Sequence, residues 1–235
     1  GTLHAFGPAG GKPVAPINMM GDFGGGGMML AFGMLAAILQ AQATGQGQVV
    51  DCAMSEGSAV LMSMIWGFRA MGRWNGPRGT NLLDGGAHFY DTYETADGKW
   101  IAIGAIEPQF YAALRGAMGL DDAEWDAQFA PAAWPQLKNK LADQFRRRTR
   151  DEWIVVFAGH DACFAPVLDF DEAAAHPHNV ARAAFVTAGG VTQPAPTPRY
   201  SVSGTVPPRM SRAEDGRAIL SEAGFAEEEI AALGH

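Results

Sequence analysis

Two cysteines, Cys52 and Cys163, are all that the 235 residues contain. Both lie in apolar runs, which argues against a disulfide framework and for a reducing, cytoplasmic setting. Basic residues are also few: 17 Lys and Arg stand against 25 Asp and Glu, a net charge of −8. A nucleic-acid-binding chain would show a basic patch instead, so no nucleic-acid partner is expected. Charged residues make up 18% of the chain and hydrophobic ones 48%. That composition can build a sizeable core in one large or two small domains. Long apolar runs are missing. Met28 to Leu39 covers about 12 residues, where a membrane span needs roughly 20, so a buried core helix and no span are expected. No basic segment precedes an apolar stretch at the start, so no signal peptide is expected.

Several chemical signatures are missing as well. There is no phosphate loop and no dinucleotide fingerprint. Ser55 and Ser58 stand in Met54-Ser55-Glu56-Gly57-Ser58, which is not a glycine-flanked nucleophile elbow. His176 and His178 flank Pro177, too constrained a pair for ordinary zinc ligation, and no Cys or His cluster has metal spacing. No metal site is therefore expected. No internal repeat or low-complexity tract appears.

What the chain does have is glycine, 30 residues of it, and 11 methionines. The two meet in Gly21-Asp22-Phe23-Gly24-Gly25-Gly26-Gly27, which runs straight into the apolar stretch from Met28. Asp22 reads as an N-cap, because its oxygen can accept from the orphan N–H groups of a first turn. Four glycines in succession disfavour a helix by about 1 kcal/mol each. They make sense where φ > 0 is needed or where something must approach the backbone closely. The helix start would also suit an anion or a developing oxyanion.

In chain order, residues 1–20 are turn-rich and read as an extended arm. A helix is expected from about Gly24 to Ala43, ending at Thr44-Gly45. Gln48 to Met54 reads as a short strand, and Ser55 as the cap of a helix over 56–71. The glycines of 72–88 read as a linker or an active-site loop. Runs 89–95 and 100–106 flank Asp97-Gly98, a hairpin signal, and Glu107-Pro108 opens a helix over 108–118. Helices are expected at 134–148 and 150–158, with Arg146-Arg147-Arg148 as a solvated helix end or a phosphate patch. A strand at 163–168, short helices from Asp169 and His176, and a strand near 183–188 follow. Residues 189–212 read as a crossing back over the first domain, and 221–233 as one terminal helix.

Asp22 and Glu107 are the candidate acid–base pair. Both stand where an apolar or glycine element meets a helix start. Apolar surroundings raise a carboxyl pKa and a helix N-terminus lowers it, and carboxyls tuned apart suit acid and base roles. Position alone leaves open two N-cap acids with no shared site. The methionines at 19, 20, 28, 29, 34, 54, 62, 64 and 71 suit a surface that accepts varied apolar ligands, or a core.

These residues carry a resemblance. Pro16-Ile17-Asn18 with Gly21-Asp22-Phe23-Gly24-Gly25-Gly26, Gly45 to Met54, Tyr93 to Tyr111, and Cys163 to Leu168 with His176-Pro177-His178 and Arg182 are similar to the alpha-methylacyl-CoA racemase family, within the family III CoA transferases. The resemblance implies a large α/β domain, incomplete here, and a smaller α+β domain, with two protomers interlocked in a homodimer. The expected divisions are 1–71, 72–190 and a return segment 191–235. The resemblance further implies exchange of R and S 2-methylacyl-CoA by removal and return of the C2 proton through an enolate. Asp22 and Glu107 would be catalytic, and Gly21, Phe23, Gly24, Gly25, Gly26 and Met54 would line the acyl-CoA substrate, with no further cofactor. Backbone N–H groups of the glycine run would hold the enolate oxygen. The family's catalytic His stands in a Gly-His-Asp-type motif upstream of the Asp, which on this reading lies before Gly1. The chain then reads as the back two-thirds of a member, inactive alone. Two other readings stand beside this: a CoA transferase with Asp22 as nucleophile, and a non-catalytic acyl-CoA-binding or dimerisation module.

Overall fold

A computed structural model describes residues 1–209 and 213–233. The chain divides into two compact units, Gly1–Val167 and Leu168–His235.

The first unit begins with a short helix, α1 (Thr2–Ala5), and an arm without regular structure. The glycine run is not a loop. It forms a π-helical segment, Met19–Met28, continuous with α2 (Met29–Thr44). Gly45 closes α2 in the left-handed region at φ 74°, donating to the Ala41 carbonyl, where Thr44-Gly45 predicts a stop. The expected strand at 48–54 does not form. These residues are extended but join neither sheet among the described residues, and lead into α3 (Met54–Leu61) and α4 (Ser63–Ala70). Ser55 is inside α3 and does not cap it; the cap position falls to Ala53, without a side-chain bond.

The expected buried helix is a second difference. No residue of α2 is buried, and Phe32 is 73% exposed. The helical run Met19–Thr44 is 26 residues long and holds an 18-residue window of mean hydropathy 1.5, long and apolar enough to cross a membrane by length and composition. Counting only the apolar stretch missed this length, because the glycines continue the helix in front of it.

The core lies elsewhere. Strands β1 (Tyr90–Glu94) and β2 (Trp100–Gly104) form the expected hairpin around Gly98, which takes φ 71°. Tyr93 faces Ile101 and Asp91 faces Ile103. The period-two alternation buries Ile101 and Ile103 on one face. Strand β3 (Phe164–Pro166) adds antiparallel to β2, giving the order β1-β2-β3. The buried face packs on α5 (Pro108–Met118), α6 (Trp134–Phe145) and α7 (Arg150–Phe157) through Phe89, Leu114, Leu137, Leu141, Phe145 and Trp153. Buried polar tips are satisfied: Trp153 Nε1 donates to the Phe145 carbonyl at 2.9 Å and Trp134 Nε1 to Gln128 at 2.7 Å. A capping box starts α7, with Thr149 Oγ1 accepting from the Glu152 N–H and the Glu152 carboxylate accepting from the Thr149 N–H.

In the second unit, a capping box from Asp169 to Glu172 starts α8 (Phe170–Ala175), and Pro177 opens α9 (Pro177–Ala181). Part of the expected crossing is a hairpin instead. β4 (Phe185–Ala188) pairs antiparallel with β5 (Val191–Pro194) across Gly189-Gly190, at φ 58° and 80°. Two glycines supply the two positive φ angles of a tight hairpin turn. The single terminal helix is two, α10 (Ala213–Glu222) and α11 (Glu227–Ala232), broken at Gly224 with φ 89°. Residues 210–212 and 234–235 of the expected return segment lie outside the described residues.

Candidate active site

Asp22 lies in the first turn of the π-helical segment and is exposed. It is not the cap; Asn18 holds that position, and its carbonyl accepts from the Phe23 N–H at 3.2 Å. That bond spans five residues, the widened spacing of a π turn, a rare form that is frequent at functional sites. Just before it, Ile17 adopts φ 53° and is 85% exposed. A β-branched residue in the left-handed region is a strained conformation, and such strain gathers at sites of function. Nothing in the residue pattern signals it, since Ile is the last residue to choose for that region.

The glycines have a structural reason. Gly25 and Gly57 are both buried where the π segment crosses α3. A Cβ on Gly57 would lie 1.9 Å from the Gly25 carbonyl oxygen, and one on Gly25 would lie 2.6 Å from the Ser58 nitrogen. The close approach foreseen for this run is thus made by the backbone of α3. Positive φ is not used: none of the glycines from Gly21 to Gly27 has it. The helix also engages the amides of Gly24, Gly25 and Gly26 along its own axis. The amides of Met20 and Gly21 reach no backbone carbonyl among the described residues, so the donors free for an oxyanion stand one turn earlier than expected.

Met54 opens α3 beside this turn, its sulfur 3.4 Å from the Cβ position of Gly21. Phe23 and Met54 are each about half exposed. The structure therefore brings Gly21, Gly26 and Met54 together where the two helices cross, with Asp22 and Phe23 exposed in the same turn, while Gly24 and Gly25 point into the crossing against Leu61 and Ser58.

Glu107 sits on another element, as the N-cap residue of α5 with extended backbone at ψ 145°. Its carbonyl accepts from the Phe110 and Tyr111 amides at 3.0 Å, but its side chain makes no capping bond and is exposed. Partial desolvation raises the Cys163 thiol above its ordinary value, with the Asp161 and Glu107 carboxylates adding to the effect. No hydrogen bond or ion pair joins Glu107 to Asp22 among the described residues.

No group of three or more His, Cys, Asp or Glu among the described residues could hold a metal ion. Residues 1–218 match CoA-transferase family III. The chain belongs to that family. It is 46% identical to the alpha-methylacyl-CoA racemase of Mus musculus over 99% of its length, covering 62% of that protein. It is 43% identical to the alpha-methylacyl-CoA racemase of Homo sapiens, over 98% of this chain and 61% of the other. The chain thus spans about three-fifths of the length of these relatives. A CAIB/BAIF family protein from Brucella suis shares the fold, with a TM-score of 0.72 at 21% identity over 94% of this chain and 60% of that one.

Proposed function

We propose that this protein is a racemase that interconverts R and S 2-methylacyl-CoA thioesters, an isomerase of fatty-acid metabolism. The observation that carries the reading is the similarity to two alpha-methylacyl-CoA racemases across 98–99% of the chain, which takes in both Asp22 and Glu107. Chemically, the C2–H bond of the thioester breaks, its proton passes to a protein base, and the electron pair moves onto the thioester oxygen as an enolate. Return of a proton to the opposite face of C2 completes the inversion. Asp22 is the carboxylate for this transfer: it is exposed on a strained turn beside apolar side chains that an acyl chain can lie against. The free amides of that turn are suited to the enolate oxygen, where preorganised donors act best. Acyl-CoA is the substrate and no further cofactor takes part.

The test, run on the full-length protein because this chain alone is expected to be inactive, is incorporation of solvent deuterium at C2 of a 2-methylacyl-CoA, followed from each enantiomer by mass spectrometry. Racemisation with deuterium uptake and no second acid present is expected. Transfer of CoA to an added carboxylic acid, without C2 exchange, would replace this reading by the CoA transferase one, in which Asp22 is a nucleophile.

The functional unit in this proposal is a homodimer. The hairpin is well packed; uncovered apolar surface is on the π segment, α2 and α4, at Met28, Phe32, Leu35, Leu39 and Trp66. Large exposed apolar patches mark interfaces, and a two-fold pair is the commonest closed arrangement. Glu107 of one protomer would then meet Asp22 of the other. Sedimentation equilibrium at micromolar concentration should give twice the chain mass; a folded monomer there would remove the dimer from the proposal.

A further inference from the structure

Ser58 belongs to no catalytic motif, yet it ties three parts of the chain together around the turn that carries Asp22. Its hydroxyl lies 2.8 Å from the Met54 carbonyl, one turn back on α3, and 3.2 Å from the Met20 carbonyl, across the helix crossing. One hydroxyl proton is shared between these two acceptors. The Ser58 carbonyl in turn accepts from Thr2 Oγ1 at 3.1 Å, so the arm is tied to the same point. The bond inside α3 is ordinary back-bonding for a helical serine. The bond to Met20 is not: it spans 38 residues and ends two residues before Asp22.

We propose that Ser58 is a positioning residue for Asp22, resting on the racemase reading for its consequence in catalysis. The physical reason lies in the π geometry. A π turn is one residue wider than an α turn and rare, so its neighbours have to favour the wider spacing. Two contacts hold this one. Gly57 and Gly25 meet backbone to backbone, which fixes how closely the two helices approach. That contact does not fix rotation or register, because glycine has no side chain to interlock. The Ser58 hydroxyl supplies the missing directional element by holding the Met20 carbonyl. Without it, the first turn can slip by one hydrogen-bond register and re-aim the Asp22 side chain. Misplacing a catalytic group by about 1 Å costs on the order of 100-fold in rate.

The experiment compares Ser58→Ala and Ser58→Cys with Ser63→Ala, which removes a hydroxyl bonded only to Val60 within the turn between α3 and α4. Amide hydrogen exchange is read first, because it does not depend on activity. Faster exchange confined to residues 19–28 in the Ser58 variants, with the sheet and α5–α7 unchanged, supports the positioning role. Unchanged protection of 19–28 overturns it, whether or not the wild-type protein turns over. Kinetics of C2 deuterium uptake follow. The Ser58→Ala protein should lose about 10- to 100-fold in kcat with KM within twofold, the cysteine variant should fall between, and Ser63→Ala should match wild type. A kcat equal to wild type in both Ser58 variants, or a general loss of folded protein in both, overturns the proposal. Absence of C2 exchange in the full-length wild type would instead remove the racemase reading and leave the hydrogen-exchange result to stand for the turn itself.

Discussion

Asp22→Asn in the full-length protein should abolish most C2 proton exchange, with a loss of about 10²- to 10⁴-fold, the usual contribution of a positioned acid or base. The amide keeps the size and shape of the carboxyl but cannot take up a proton from C2. The substitution is clean because of where Asp22 stands. Its side chain is exposed and makes no hydrogen bond or ion pair among the described residues, and it is not the helix cap. Exposed substitutions without such partners change stability by about 0.5 kcal/mol or less, so the melting temperature should hold. The loss should appear in kcat with both enantiomers as substrate, measured as deuterium uptake at C2 in heavy water. A variant that exchanges both enantiomers at the wild-type rate would show that Asp22 is not the base. A variant that has lost its fold would contradict the local geometry rather than the chemistry.

The sequence made some of this legible and hid the rest, for physical reasons. The hairpin and α5 could be read directly, because Asp97-Gly98 and Pro108 each impose a backbone conformation locally. The same holds for the end of α2 at Gly45. The π segment could not be read. Four glycines have poor helix propensity, and only the facing backbone of α3, around Gly57, makes a helix without side chains the close-packed solution there. That partner is 32 residues from Gly25, beyond any local pattern. The strand expected at 48–54 failed for the opposite reason: its residues favour extension, but no neighbouring strand pairs with them. Period and composition marked α2 as a core helix, yet apolar character says what a face prefers to touch, not whether anything touches it. Asp22 was singled out because it stands where the glycine run meets a helix start and lies in a stretch that carries the family resemblance. Ile17 and Ser58 gave no such signal, since strain and long-range hydrogen bonds exist only once the chain has folded.

Below neutral pH the first unit should lose about 3 kcal/mol of stability as a result of His88. This residue is fully buried against Phe89, Tyr111 and Trp125. Tyr111 donates its hydroxyl proton to the Trp125 carbonyl at 2.9 Å, so at 2.8 Å its oxygen accepts from His88 Nε2. The ring is then neutral with its other nitrogen, Nδ1, buried and without a partner. Tyr93 closes the far side by donating to the His88 carbonyl at 2.6 Å. A second proton would have to sit on Nδ1 in an apolar enclosure, and burial accordingly pushes the ring from 6.5 down to about 4. The sign follows from which state binds the proton first. Above pH 6.5 the ring is neutral folded or unfolded, and its contribution is complete. Between 6.5 and about 4 the unfolded chain takes up a proton that the folded one refuses, so stability falls with pH; below about 4 it falls no further on this account. Each unit of pKa difference is worth about 1.4 kcal/mol, which gives the total. Urea unfolding of wild type and His88→Phe at a series of pH values from 7 to 4 separates this from the carboxylates, which both proteins share. The phenylalanine variant should lose less stability across that range by about 3 kcal/mol, and parallel curves for the two would show that His88 titrates normally in the fold.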